Sequence, residues 1–480
     1  MYRKETRMQN FWDFDAWGTV NLVAVLLLGL LVANILKKNI KLLQQAMIPT
    51  SVLAGLLLFA LSNVWSLFGG VQLFETDFFS NRGLSGTYIL EIITFHALAL
   101  GFIAQTLVES PRAFTKKRAN EIFNTGVTTV STYLLQGILG MGVTIIAALT
   151  FMPDLLEASG LILPFGYGQG TGQALNYGSI YEAEHGFVGG KTFGLTIAAL
   201  GFLSASIGGV VHLNILRHRG YKFREGTESL TPTEAIENEN EIPMNGAIDK
   251  LTVQVTLIAI AYLLTYGVMY GLGLLLPGMK AVIYGFNFLF GVLMALAVKA
   301  VLKLLKKRGI TKKQYTNNFL LTHLSNLFFD IMIVAGIAAI RISVIKDYWI
   351  ILLILAVIGI LFTYLYNYYV SKRLFGEYKE EQFLAMYGML TGTASTGVML
   401  LRELDPKYET PASDNLVYQN LPAIIFGFPL MLLATLAPVK PYLTWFILLG
   451  FFIVMNVILW REKLFARFAK KKKPTDSTDK

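Results

Sequence analysis

Long apolar runs without charged residues recur along the whole chain. Three clear examples are residues 18–36 (GTVNLVAVLLLGLLVANIL), 349–366 and 442–460. A helix needs about 20 consecutive, mainly apolar residues to cross the hydrocarbon core of a bilayer. Because the runs are spread over the chain, a single signal peptide does not explain them. The pattern therefore predicts an all-α polytopic membrane protein.

The apolar pattern divides into about 11 spanning helices and two unusual segments. The unusual segments, residues 159–180 and 383–402, are moderately apolar but rich in Gly, Thr and Ser, so neither resembles an ordinary span. The predicted spans are residues 18–36, 49–69, 88–108, 121–150, 188–214, 251–275, 281–302, 318–341, 348–370, 415–437 and 442–460.

Composition and charge placement agree with this class of protein. Only 15% of the residues are charged, against about 25% in an ordinary soluble domain. The net charge of +10 arises from basic clusters beside apolar runs, such as residues 37–41 and 303–313. Such clusters are typical of the cytoplasmic flanks of membrane helices and argue against a nucleic-acid partner. The chain has no cysteine, which excludes disulfides and thiol catalysis.

A hydrophilic segment divides the chain into two comparable halves. Residues 215–250 are polar, acidic in their second part and poor in apolar residues, so we expect a cytoplasmic linker. It separates a first transmembrane repeat, residues 1–214, from a second, residues 251–437. Residues 438–480 add a further span and a basic tail that we expect to be cytoplasmic.

The first unusual segment contains the sequence GYGQGTGQALNYG (166–178), with glycine at alternate positions. A dinucleotide fingerprint does not fit, since Thr171 stands where the third glycine of that motif belongs. Alternating glycines suit a broken, re-entrant helix whose free backbone groups line a cavity at membrane depth. Close packing of helices through small residues is the alternative.

The second unusual segment contains YGMLTGTASTGVML (387–400) at the corresponding place in the other half. Each half then has four spans, a Gly-rich segment and another span. Because five spans separate equivalent points, the halves are expected to form an inverted-topology repeat, a plan in which paired helix breaks mark the binding site of a secondary transporter. The candidate binding residues are Gln169, Gly170, Thr171, Gly172, Thr391, Gly392, Thr393, Ser395 and Thr396, with Gln419 and Asn420 at the start of the tenth span.

Ionisable residues within spans are further candidates. Asp330 lies in the middle of the eighth span, where a charge is costly. We expect it to bind a cation or proton, to pair with Lys191 or His323, or to stay protonated. Lys191 opens the fifth span and either faces a substrate carboxylate or reaches the outer interface. Glu91, near the outer end of the third span, is expected to be solvated. The five histidines lack ligand spacing, so no metal site other than one for Na⁺ is expected.

Over roughly residues 18–437 the chain resembles the bacterial sodium/glutamate symporter family. The first loop of that family typically reads Gly-Gly-His-Gly-Thr-Gly, where this chain has residues 167–172 (YGQGTG). The second loop resembles GMLTGTASTGVML (388–400), and TFGL (192–195) is also similar. The resemblance implies a sodium-coupled symporter of the cell membrane that carries glutamate or a related small anion by alternating access, as a homodimer. It implies no cofactor besides Na⁺ as the coupling ion.

Two departures from the family keep an alternative open. Gln169 replaces the usual His of the first loop, and the final span, residues 442–460, exceeds the ten-span plan. The alternative is a proton-coupled carrier of a different small organic solute. An intramembrane enzyme acting on lipid is less favoured, because no Ser/His/Asp or His/Glu metal arrangement is found. We therefore predict a transporter and not an enzyme.

Overall fold

The computed structural model describes residue 12 and residues 14–109, 115–221, 248–311, 313–406 and 409–463. These parts of the chain are built of α-helices joined by short 3₁₀ turns and loops. The α-helices are α1 (Phe14–Asn39), α2 (Lys41–Gln45), α3 (Thr50–Gly69), α4 (Gly86–Leu107), α5 (Lys116–Thr150), α6 (Leu163–His185), α7 (Gly190–His218), α8 (Lys250–Leu275), α9 (Lys280–Gly285), α10 (Asn287–Lys307), α11 (Asn318–Ala338), α12 (Ile342–Leu374), α13 (Lys379–Thr391), α14 (Ala394–Arg402), α15 (Ala412–Tyr418), α16 (Asn420–Leu436) and α17 (Pro441–Leu459).

Within the described ranges, ten helices are long and apolar enough to cross a membrane. They are α1, α3, α4, α5, α7, α8, α10, α11, α12 and α17. The short helices α15 and α16 make an eleventh if they count as one span bent by 49°. Ten of the eleven predicted spans are therefore confirmed as long apolar helices, the eleventh, residues 415–437, is found as the bent pair α15 and α16, and the protein is a multi-pass membrane protein.

Some boundaries differ from the prediction. The predicted span 281–302 is broken after Gly285 into α9 and α10, and the predicted span 348–370 extends to Ile342–Leu374. Of the expected linker, residues 222–247 lie outside the described residues, as do residues 464–480 of the expected basic tail.

Helices α5 and α7 form the centre of the bundle and are buried over most of their length. Small residues permit this packing. A side chain on Gly160 would place its Cβ 1.9 Å from the carbonyl oxygen of Gly140 on α5. A Cβ on Gly194 of α7 would lie 2.2 Å from the carbonyl oxygen of Ala174 on α6. Backbones at these points are in direct contact, as in other membrane bundles where glycine sits between helices.

Both Gly-rich segments form broken helices. Helix α6 is interrupted at Gly170, whose φ of 79° and ψ of −168° belong to a region used almost only by glycine. The second segment is interrupted between α13 and α14 at Gly392 and Thr393. There the chain reverses, since a Cβ on Gly388 would lie 2.8 Å from the Cα of Gly397.

Candidate binding cavity between the two helix breaks

Helix α5 contacts both breaks with side chains one turn apart. The hydroxyl of Tyr133 donates a 2.9 Å hydrogen bond to the carbonyl oxygen of Gly168. The amide Nε2 of Gln136 donates a 2.9 Å hydrogen bond to the carbonyl oxygen of Leu390. The same Nε2 also donates to Thr363 Oγ1 at 2.8 Å. A single helical turn of α5 therefore fixes the last carbonyls before each break.

The segment that leads to the first break runs along α5 from its C-terminal end. The hydroxyl of Thr144 donates a 2.6 Å hydrogen bond to the carbonyl oxygen of Glu157 and accepts a 3.1 Å bond from the Gly160 amide. Further along, Gly168 lies beside Tyr133. This segment therefore descends from the end of α5 to its middle.

The second broken helix runs along α5 from the opposite end. Near the start of α5, Gln382 Nε2 donates to Thr125 Oγ1 at 3.3 Å, and Leu390 reaches Gln136 two helical turns later on α13. The two broken helices therefore approach the middle of α5 from opposite ends.

The breaks themselves meet. A Cβ on Gly170 would lie 3.6 Å from both the Cγ2 of Thr393 and the Cε of Met332. On the far side, a Cβ on Gly201 of α7 would lie 2.7 Å from the carbonyl oxygen of Thr391 and 3.0 Å from the ring of Tyr167. Segments that are more than 200 residues apart in the sequence thus share one location at the centre of the bundle.

A cavity of about 120 Å³ opens beside the paired breaks. Its polar wall comes from backbone and side-chain groups at both breaks and from the junction of α15 and α16. Its apolar wall comes mainly from phenylalanine and methionine side chains. The lining residues are Phe102, Gln105, Thr129, Tyr133, Gly168, Gln169, Phe288, Phe329, Met332, Met389, Gly392, Thr393, Ala394, Ser395, Gln419, Asn420, Ala423, Ile424, Gly427 and Met431.

Six of the residues predicted from the sequence line this cavity. They are Gln169, Gly392, Thr393, Ser395, Gln419 and Asn420.

The other five predicted residues of the two loops lie behind the cavity wall. The hydroxyl of Thr171 donates to the carbonyl oxygen of Met332 at 3.1 Å, and that of Thr391 donates to the carbonyl oxygen of Tyr387 at 2.6 Å. Thr396 is fully buried, and its Oγ1 lies 3.3 Å from that of Thr393. Gly170 and Gly172 are buried as well. These residues hold the breaks in shape: the hydroxyls of Thr171 and Thr391 satisfy neighbouring carbonyls, and the small size of Gly170 and Gly172 permits close contact.

The cavity wall carries partial charges but no formal ones. Of the lining residues in the described part of the chain, none is Asp, Glu, Lys, Arg or His. Helix α14 begins at Ala394 without a side-chain cap, so its first amide groups point partial positive charge toward this region. Opposite them, Gly168 and Gln169 end the first part of α6, where carbonyl groups carry partial negative charge.

Sequence reasoning missed the contribution of α5. Its buried sequence NTGVTTVSTYLLQ (124–136) is dense in hydroxyl and amide groups for a spanning helix, and that density was the available signal. Thr129 Oγ1 donates to Gln419 Oε1 at 2.9 Å, which ties α5 to the start of α16. The amide oxygens of Gln136 and Asn367 are buried and have no hydrogen-bond partner among the described residues.

Lys191 lies away from this cavity. Its Nζ is 2.9 Å from Glu91 Oε2 and 5.3 Å from the centre of the Tyr88 ring. Its backbone amide donates to Glu182 Oε2 at 3.1 Å. The expectation that Glu91 is solvated is wrong: the residue is only 6% exposed, because Lys191 and Arg341 (3.8 Å away) cover its carboxylate. Glu91 and Lys191 line a second cavity of about 400 Å³.

Asp330 does not pair with either predicted partner. Its carboxylate is hydrogen-bonded with Ser51 of α3. Lys191 is engaged by Glu91, and His323 Nδ1 is 2.8 Å from the carbonyl oxygen of Phe319 in its own helix. Asp330 is not among the residues that line the cavity between the breaks.

No cluster of three or more His, Asp or Glu side chains suited to a metal ion occurs in the ranges that the structure describes. No known family model and no curated protein sequence matches the chain.

Proposed function

We propose that this membrane protein is a secondary active transporter that carries a small organic anion by alternating access. The observation that carries the proposal is the meeting of two broken helices, one from each half of the chain, at a cavity lined by Gln169, Thr393, Ser395, Gln419 and Asn420. Irregular backbone at membrane depth is tolerated where it is buried or lines a cavity, and transporters place their substrate sites at such breaks.

The geometry around α5 supports re-entrant hairpins in an inverted repeat. The two broken helices approach the middle of α5 from its opposite ends, marked by Thr144 and Thr125. In a membrane, two such elements would enter from opposite faces and meet near the midplane. This is the arrangement of inverted repeats in secondary transporters. In this proposal the repeats are residues 1–214 and 251–437.

Sodium is the proposed coupling ion, and glutamate or a related small anion is the solute that the family resemblance implies. The carbonyl end formed by Gly168 and Gln169 and the amide oxygens of Gln419 and Asn420 are oxygen donors of the kind that suit a hard cation. We further propose a homodimer in the cell membrane, on the same resemblance.

The described conformation is proposed to be open toward the cytoplasm. The cavity includes Gln105, near the end of α4, and Thr129, in the first half of α5. Basic residues lie at helix ends of the bundle, including Arg118 in the first turn of α5 and Lys307 at the end of α10. Basic flanks mark the cytoplasmic face. At the other end, Gly172 packs on Leu98, where a Cβ would meet the side chain at 2.8 Å, so this contact closes the outer path.

Proton coupling is a second candidate because of one buried cluster. His212 Nε2 of α7 is 3.0 Å from Glu380 Oε2 at the base of α13, and its Nδ1 is 2.7 Å from the hydroxyl of Tyr364. Both His212 and Glu380 are buried. A titratable pair that joins the second broken helix to α7 is the kind of element that a proton relay uses.

Uptake into proteoliposomes tests the proposal. Labelled amino acids and mono- and dicarboxylates are offered under an imposed Na⁺ gradient, an H⁺ gradient or neither. Saturable uptake that requires Na⁺ is the expected result. Uptake driven by H⁺ alone would favour the second candidate and would be lost in His212→Gln. No saturable uptake of any solute under any gradient would contradict the proposed function.

A further inference from the structure

The wall of the cavity between the breaks indicates which kind of anion fits it. Its region of partial positive charge is small: it consists of the uncapped start of α14, with the hydroxyls of Thr393 and Ser395, and the start of α16 at Asn420, where α16 continues from α15 through Gln419. The opposite break presents the carbonyl end at Gly168 and Gln169. The cavity therefore offers partial positive charge at helix starts, which favours a carboxylate, and partial negative charge at the carbonyl end, which disfavours one.

The rest of the wall is apolar and aromatic. Phe102, Phe288 and Phe329 contribute rings, and Met332, Met389 and Met431 contribute thioethers. Phe102 stacks edge-on against Phe329, with ring centroids 5.3 Å apart, and packs against Phe288 at 5.4 Å. These contacts make a continuous apolar surface opposite the polar breaks. A hydrocarbon chain or ring placed on it loses unfavourable contact with water.

The described cavity lining offers no cationic side chain to a second carboxylate. None of the described lining residues is Lys, Arg or His. Lys191 and Arg341 are both held near Glu91, at the other cavity. A buried carboxylate without a partner is strongly disfavoured, so a dicarboxylate would lose more on entering than a monocarboxylate of the same length.

We propose that the transported solute carries one carboxylate on an apolar chain or ring, with the carboxylate at the start of α14 and the apolar part against Phe102, Phe288 and Phe329. This inference rests on the proposed transport function and narrows its solute class. Among the small anions of that proposal, it favours an apolar monocarboxylate, with or without an α-amino group, over a dicarboxylate such as glutamate. The size of the cavity, about 120 Å³, is comparable with an engineered protein cavity of about 150 Å³ that takes up benzene.

Binding to the purified full-length chain tests the inference independently of coupling. Thermal stabilisation in detergent is titrated with two matched pairs of probes: hexanoate against adipate, and leucine against glutamate. Each pair differs mainly by the second carboxylate. The single-carboxylate member of at least one pair is expected to bind about tenfold more tightly, or better, than its partner. Equal or tighter binding of adipate and glutamate, or stabilisation by none of the four probes, would overturn the proposal.

A positive charge introduced into the apolar wall provides a second test of the inference. Ile424 lines the cavity and is half-buried, so its position tolerates a longer side chain. Ile424→Arg is expected to reduce the preference for hexanoate over adipate, while the neutral control Ile424→Gln leaves that preference unchanged. An unchanged preference in a folded Ile424→Arg protein would contradict the proposed placement. If the arginine variant does not fold, the wild-type titrations decide the question.

The two proposals fail in different ways. Tight binding of a single-carboxylate probe without gradient-driven uptake would leave the solute class standing and remove active transport. Sodium-driven uptake of glutamate, together with tighter binding of glutamate than of leucine and of adipate than of hexanoate, would support active transport and remove the proposed solute class.

Discussion

The ring of Tyr133 occupies the space that a side chain at position 168 would need. A Cβ on Gly168 would lie 2.0 Å from Cε1 of that ring, while the Tyr133 hydroxyl donates a 2.9 Å hydrogen bond to the Gly168 carbonyl oxygen. Glycine is therefore required here by contact with a neighbour and not by its own backbone angles. The pair fixes one wall of the cavity, because both residues line it.

We predict that Gly168→Ala lowers the free energy of unfolding by about 1–3 kcal/mol, the usual cost of overpacking, and abolishes uptake. Thermal unfolding in detergent measures the first effect and proteoliposome uptake the second. The control is Gly267→Ala in α8, where a Cβ would meet no atom within 4 Å. A Gly168→Ala protein with wild-type stability and uptake would contradict this contact.

Gly170→Ala should also destabilise the protein, but for a different reason. A Cβ there meets ordinary van der Waals contacts at 3.6 Å, but the φ of 79° is unfavourable for alanine. The expected cost is about 1–3 kcal/mol of backbone strain. Adding Tyr133→Leu should recover part of the stability lost in Gly168→Ala and none of that lost in Gly170→Ala. Melting temperatures of the two double variants check this difference; equal recovery in both would refute it.

The sequence predicted the apolar spans and the helix breaks well, because both depend on local residue types. The break at Gly170 follows from alternating glycines, and the apolar spans follow from length and hydropathy. The residues that contact the breaks could not be predicted from the sequence. Gln136 reaches Leu390 across 254 positions, and Glu91 is buried by Lys191, 100 positions later. Such contacts depend on helix packing, which one sequence without relatives does not reveal.

Gln136 should be required for the second break. In Gln136→Leu, the carbonyl oxygen of Leu390 and the hydroxyl of Thr363 lose their shared donor in a buried place. Leaving buried polar groups without a partner costs about 1–3 kcal/mol. We expect a lower melting temperature and reduced uptake, with Gln136→Glu also impaired because it removes the donor. The control Gln44→Leu changes an exposed glutamine of α2 and should resemble wild type.

The Lys191–Glu91 pair should be structural. Lys191→Met leaves the buried Glu91 carboxylate with Arg341 as its remaining cation, 3.8 Å away. We expect a loss of about 1–3 kcal/mol, most of which returns in the double variant Glu91→Gln/Lys191→Met. Unfolding of the four proteins of this cycle measures the coupling. Wild-type stability of Lys191→Met with a raised KM for uptake would instead assign Lys191 to solute recognition.

Because the chain contains no cysteine, any thiol label reports only on a cysteine that is introduced. Ser395 is exposed and lines the cavity, whereas Thr171 is fully buried behind it. A membrane-impermeant maleimide added from the cytoplasmic side is expected to label Ser395→Cys and not Thr171→Cys, and a bound solute should slow the labelling. Equal labelling of the two, or labelling of Ser395→Cys from the outside alone, would contradict the proposed inward-open cavity.

Solute counterflow tests the central claim most directly. Proteoliposomes are loaded with unlabelled solute at high concentration and diluted into a trace of labelled solute, without any ion gradient across the membrane. A carrier that exposes one site alternately to the two sides concentrates the label transiently inside. We predict this overshoot for the wild type and for Gly267→Ala, and its absence in Gly168→Ala. A wild-type signal that rises only to equilibrium, with no overshoot, would contradict alternating access at the cavity between the two helix breaks.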